Sequence, residues 1–198
     1  PKFPEYLAAR FPVPISFGTR LIRWFHGPSA GVMVATPSLA RDLEGKGFRN
    51  VRPWTRGVAV DLFKPLDDPA DRDRLLPHAR PIGVYVGRIA VEKNIEAFLK
   101  TTAVATKVLI GGGPQMDSLR QRYPDAVFLG PKFGEDLARH IAAGDLFVFP
   151  SLTDTFGLVQ IEALSCGLPV AAYPVTGPLD VLTPKVGAMD EDLDRAIE

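Results

Sequence analysis

Short apolar runs alternate with helix-period segments along most of the chain. From Ile82 onward, IGVYVG (82–87), KVLI (107–110), AVFLG (126–130), DLFVFP (145–150) and PVAAYP (169–174) read as strands. Each is too short for a helix and bounded by glycine, proline or charge. Between them lie segments of helical length. Glu92–Thr102 places Ile95, Phe98 and Leu99 on one face, and Gln115–Tyr123, Gly134–Gly144 and Gly157–Gly167 follow the same pattern. Continuous apolar strands separated by helices of about ten residues predict an α/β fold: a Rossmann-like parallel sheet with helices on both faces. Such sheets bind ligands outside the carboxyl ends of their strands. Gly87, Gly111–Gly113 and Gly130 fall at those ends.

The segment before Ile82 follows another plan. Ser16–Gly27 reads as a helix, Gly31–Ser38 as containing a strand, and Ser38–Phe48 as a helix stopped at Gly47. Val51–Pro81, rich in proline and charge, reads as a linker. Residues 1–55 are expected to be the end of one Rossmann-like unit and the start of that linker. Residues 56–198 are expected to form a second unit, incomplete at its C-terminus. The chain opens on Pro1 rather than methionine, which fits a piece of a longer protein.

Composition narrows the field. Among 198 residues, 46% are hydrophobic, enough for a sizeable core, and the formal net charge is zero. Zero net charge argues against a nucleic-acid partner. Cys166 is the single cysteine, so no internal disulfide can form and a cytoplasmic setting is expected. No apolar run reaches membrane-spanning length, and no signal peptide is visible. One stretch, TRLIRWFHG, mixes Arg20, Arg23, Trp24 and Phe25 as an interfacial helix does, so peripheral contact with the inner face of a membrane stands beside ordinary packing on a sheet.

Candidate chemistry concentrates at three strand ends. Arg88 closes the first strand after Gly87, and Lys93 opens the helix that follows. A fork of donors and a compact charge at a strand–helix junction suit a diphosphate, although both can be plain surface charges. Neither a G-x-G-x-x-G fingerprint nor a P-loop is present. Gly112, in LIGGGP, allows close backbone approach, and Lys132 and Phe133 sit at another strand end. In TDTFGLVQIEALSCGLPV, Asp154 precedes a helix and can serve simply as its cap. Gly157 opens that helix, with the amides of Leu158 and Val159 beyond it. Glu162 lies among Leu158, Ile161 and Leu164, in a helix apolar enough to be mostly buried, and a buried carboxylate needs partners. A ribose diol is one. His26, His78 and His140 lack metal spacing, and Cys166 has no evident partner. Asp190, Asp192 and Asp194 fit a helix start better than a metal site.

In this order, GRIAVEKNIEAF, LIGGGP, VFLG, DLFVFPS, TDTFGLVQIEALSCGLPVAA and GPLDVL resemble the donor-binding domain of the retaining glycosyltransferases of family 4, which have the GT-B fold. RGVAVDLFKP is similar to that family's interdomain segment. The resemblance covers roughly residues 30 to 182. It implies a nucleoside-diphosphate sugar as donor, no obligatory metal or other cofactor, and an active site in the cleft between two Rossmann-like domains. By position, Arg88 and Lys93 match the pair that holds the diphosphate and are the candidate catalytic residues. Glu162 matches the glutamate that binds the nucleotide ribose. Asp154 stands where many members have the first glutamate of E-x7-E, which contacts sugar hydroxyls. Phe156, Gly157, Leu158 and Val159 match the loop whose backbone meets sugar and phosphates, and Lys132 lies in the region near the base. Two departures matter. Asp154 is one methylene shorter than glutamate, and Ala59 replaces a frequent aspartate after Gly-Val. TDTFG is most similar to members that use GDP-mannose and to plant-type sulfolipid synthases, so a GDP-sugar is favoured over a UDP-sugar. The acceptor and the acceptor-side groups are not legible. A non-catalytic sugar-nucleotide sensor, a phosphorylase and a nucleotide-sugar epimerase are the competing readings.

Overall fold

The computed structural model describes residues 14–54, 56–152 and 156–198. By packing the chain divides into two units, Pro1–Arg56 and Gly57–Glu198.

The first unit contains helix α1 (Ile15–His26), strand β1 (Val32–Val34), helix α2 (Pro37–Gly45) and strand β2 (Val51–Pro53). The two strands pair in parallel, with Val32 opposite Val51, so α2 is the crossover of a small β-α-β element. Helix α2 starts where the chain supplies both of its start signals. The Thr36 hydroxyl accepts from the Leu39 N–H at 3.2 Å, and Pro37, which has no N–H to leave unpaired, follows it. Val34, Leu39, Leu43 and Phe48 form the core, with Ile22 of α1 packed against it. The outer face of α1 is uncovered: Trp24 is 76% and Phe25 70% exposed.

The second unit is built on a six-stranded sheet. In chain order its elements are α3 (Ala70–Leu75), β3 (Ile82–Val86), a 3-10 turn (Val91–Lys93), α4 (Ile95–Lys100), β4 (Thr106–Ile110), α5 (Met116–Arg122) and β5 (Val127–Gly130). They continue with α6 (Gly134–Ala142), β6 (Leu146–Phe149), α7 (Leu158–Ser165), β7 (Val170–Ala172), α8 (Thr176–Val181), β8 (Gly187–Met189) and α9 (Leu193–Ile197). The spatial order is β5-β4-β3-β6-β7-β8, and every pair is parallel. This is the doubly wound dinucleotide-fold order, and its direction reverses between β3 and β6.

Strand alternation builds both faces. Ile82, Val84, Val108, Ile110, Phe147, Phe149, Val170 and Ala172 lie under Leu76 and helices α6 and α7. Tyr85, Leu109 and Val148 lie under α4, α5 and α9. Full burial on both faces explains why the strands read as unbroken apolar runs.

Two expectations from the sequence are corrected. Val51–Pro81 is not a free linker: it contains β2 and α3, and Phe63 and Leu76 are inserted into the core. Its arginines tie it to the amino ends of β3 and β6. Asp145 accepts from the Ile82 N–H at 2.7 Å and from Arg80 Nη1 at 2.9 Å, and pairs with Arg72. Arg72 and Arg80 also donate to the carbonyls of Gly144 and Ala143 just beyond α6. Burial works to raise the Asp145 carboxyl, but the Ile82 N–H and the two guanidiniums hold it below the usual carboxylate range. Second, Glu92–Thr102 is not one helix, because Asn94 takes a left-handed conformation (φ 51°) between the 3-10 turn and α4. Beyond the segments read from the sequence, α8 and β8 follow Pro174. Asp192 does cap α9, its carboxylate accepting from the Asp194 N–H at 3.0 Å.

Candidate functional site

The order of strands puts the loops after β3 and β6 side by side at the carboxyl edge. The β3 loop is tied by its backbone to the glycine turn after β4. Gly87 N donates to Ile110 O at 3.0 Å, Ile89 N to Gly112 O at 2.9 Å, and Gln115 N to Ile89 O at 3.1 Å. This contact explains the glycines: a Cβ on Gly111, whose φ is +138°, would sit 1.9 Å from Gly87 O. Gly112 is the member of the turn that faces open space, with Pro131 Cδ at 4.0 Å from its Cβ position.

Arg88 projects from this loop. It is exposed and pairs with Glu92 at 3.3 Å, while its carbonyl accepts from the Tyr85 hydroxyl at 3.0 Å. Lys93 ends the 3-10 turn instead of opening the helix, a correction that follows from the left-handed Asn94. Asn94 Nδ2 donates to Pro150 O at 3.2 Å, linking the β3 and β6 loops across the switch point.

On the β6 side, Asp154 lies outside the described residues. Gly157 takes φ +68° as the residue before α7, and a Cβ there would come within 2.5 Å of Gln160 Nε2 and 2.9 Å of Phe149 Cζ. That amide donates to Phe156 O at 3.1 Å, clamping the turn. The N–H groups of Leu158 and Val159 follow and have no partner within the helix, so α7 presents the positive end of its dipole beside the β3 loop. Gln160 Oε1 and Ser151 Oγ are buried and make no hydrogen bond among the described residues.

Glu162 is half-buried, not deeply so. In α7 only Gln160 and Ala163 are fully buried; its apolar residues fall on every side of the helix, so no stripe says which face turns inward. The Glu162 carboxylate makes no hydrogen bond or ion pair among the described residues, and burial pushes its pKa up. Lys132, after β5, is engaged with Asp136 at 2.9 Å. That bond holds Asp136 below the usual carboxylate range. Phe133 next to it is 79% exposed.

The remaining candidates are structural. His140 Nδ1 contacts the Asp136 carbonyl at 2.7 Å within α6, and His26 stacks edge-on with Phe25 in α1. Cys166 is buried against the Ala138 carbonyl, and desolvation followed by the Glu162 charge pushes its thiol to about 12, so it is unreactive. No group of three or more His, Cys, Asp or Glu able to hold a metal occurs among the described residues. A depression of about 320 Å³ lined by Asp61, Lys64, Asp71, Glu135 and Arg139 is a weaker candidate, because its charges pair internally, Arg139 with Asp71 and Lys64 with Asp67. The sequence reading missed Asn94, Ser151 and Gln160. A polar amide inside an apolar helix was the available signal for Gln160; Ser151 and Asn94 carried none.

The family model described as "Glycosyl transferases group 1" matches residues 80–194. A GDP-mannose-dependent alpha-mannosyltransferase of Mycobacterium tuberculosis is 34% identical over 167 residues, which is 81% of this chain and 44% of that protein. The sulfoquinovosyl transferase of Arabidopsis thaliana is 32% identical, over 82% of this chain and 34% of that protein. The chain thus spans under half the length of these curated relatives. Among solved structures, Anabaena HepE in complex with UDP superposes with a TM-score of 0.76 at 20% identity, covering 92% of this chain and 57% of that one.

Proposed function

The chain belongs to the group 1 glycosyltransferases, its sheet unit has their GT-B fold, and on that premise we propose that the full protein is a retaining glycosyltransferase. It moves a hexose, with mannose favoured, from a GDP-sugar to an acceptor hydroxyl. The single observation that carries the proposal is the meeting, at the switch point of the sheet, of the Arg88–Lys93 loop with the glycine-opened start of α7. That places the loop bearing two cations beside the first amides of a helix, the pattern of an anion-binding edge.

In this reading the amides of Leu158 and Val159 and the Arg88 and Lys93 side chains take the diphosphate and stabilise the charge that develops as it leaves. Arg88 exchanges its ion pair with Glu92, an exposed contact of little energy, for the phosphate. The carboxylate of Glu162 accepts from the ribose diol, and Lys132 lies near the base. Asp154 contacts the sugar hydroxyls. The acceptor hydroxyl attacks from the face the diphosphate leaves, which gives retention. No metal is required, because Lys and Arg supply the positive charge. Preference for GDP-mannose is supported by the TDTFG segment and by the mannosyltransferase relative. The HepE structure holds UDP, so a UDP-sugar is the competing donor. Incubating the full-length enzyme with GDP-mannose, UDP-glucose and ADP-glucose separates them. Transfer from GDP-mannose with an α-linked product by NMR is expected. Transfer only from a UDP-sugar overturns the donor, and an inverted product overturns the mechanism.

A further inference from the structure

The loop that carries Arg88 and Lys93 is held on one side by backbone bonds from Gly87 and Ile89 to the turn after β4 and by the Tyr85 hydroxyl on the Arg88 carbonyl. Its other side ends at Asn94, the one non-glycine residue with positive φ among the described residues. The turn closes on itself there, with Asn94 N donating to Val91 O and Asn94 O accepting from Ala97 N. The side chain then leaves the loop altogether. Nδ2 reaches Pro150 O at 3.2 Å beyond β6. One side chain thus joins the loop after β3 to the end of β6 across the switch point.

We propose that Asn94 is a positioning residue for diphosphate recognition: its amide straps the cation loop to the β6 end, so that Lys93 and Arg88 are held against the terminal phosphate. A loop anchored on one edge pivots about that edge, and Lys93, next to Asn94, lies at the opposite end of the loop. Without the strap the loop is ordered only when the ligand arrives, and binding bears that cost. Asparagine is suited to both halves of the task. It tolerates the left-handed backbone better than most residues, and its amide supplies the donor that glycine, the other left-handed residue, lacks. The proposal rests on the phosphate-binding reading above.

The test uses the full-length enzyme and compares GDP with GMP, which differ by the phosphate the loop is argued to grip. Asn94→Gly keeps the left-handed backbone and removes the amide. Its GDP-to-GMP affinity ratio is expected to fall about tenfold, the effect of roughly one lost hydrogen bond at the strong end of the usual range, with little change in Tm. Asn94→Ala removes the amide and strains the backbone, so it lowers both the ratio and Tm. A wild-type ratio in Asn94→Gly overturns the strap, whatever its Tm, because a purely structural residue leaves phosphate discrimination untouched. No measurable preference for GDP over GMP, or for UDP over UMP, in the wild-type enzyme overturns the phosphate-binding reading and the strap together.

Discussion

Glu162→Gln changes one atom and separates two accounts of α7. The wild-type carboxylate is half-buried, and nothing among the described residues compensates its charge. Burial raises its folded pKa above the ordinary 4.5. A group with a raised folded pKa contributes stability below its unfolded value, and that contribution is lost as pH rises through the folded value. At neutral pH the empty protein therefore carries an uncompensated charge, and neutralising it should hold or raise Tm. Binding moves the other way. If the carboxylate accepts from the ribose diol, glutamine loses the charge assistance of bonds worth about 1.5–3 kcal/mol. GDP affinity should then fall roughly ten- to a hundredfold. Calorimetric titration with GDP and scanning calorimetry of the ligand-free enzyme read the two quantities. The pH dependence is a third handle. Wild-type affinity should weaken as pH falls through the raised pKa of Glu162, and the variant should lack that limb. A fall in Tm with unchanged GDP affinity would refute the reasoning, since it would mean that Glu162 serves the fold.

Arg88→Ala should lower turnover about a hundred- to thousandfold, the usual loss of one preorganised donor to a developing anion. Tm should hardly move, because its pair with Glu92 is exposed; native turnover in steady-state assays removes Arg88 from the site. Asp145→Asn weakens the bonds to Arg72, Arg80 and Ile82 and should cost about 1–3 kcal/mol in urea unfolding. The depressed pKa of Asp145 means that this stability is present above its unfolded value near 3.8 and is lost as pH falls through the lower folded value. The wild-type advantage should therefore shrink in acid, and an advantage constant to pH 2 argues against the pairing. Gly157→Ala places a Cβ against Gln160 and Phe149 at φ +68°. The left-handed backbone alone costs about 1–2 kcal/mol, so both Tm and GDP affinity should drop, and a native-like variant would show that this turn is not held as described.

The part of the candidate site that local spacing proposes lies within single stretches of chain. Arg88 and Lys93 fall in one junction, and Phe156 to Glu162 in one loop and helix, so local spacing finds them. The links between stretches were not legible. Asn94 reaches Pro150 and Asp145 reaches Arg72 and Arg80, and nothing near any of these residues announces its partner. The linker reading of Val51–Pro81 failed for the same reason: its prolines and charges look solvated until Asp145 and the core cavities for Phe63 and Leu76 are supplied.

Local pattern was enough to find five strands of the large sheet and most of the helices between them, to make that sheet parallel, and to say which edge carries the loops. Those properties follow from apolar periodicity and from turn residues, which act over a few neighbours. Tertiary structure alone decided that β3 lies beside β6, that the β3 loop is pinned from both sides, and that Glu162 stands half-exposed. Each of these depends on which distant segments meet, and burial and hydrogen bonding at a position are properties of that meeting, which no local pattern encodes.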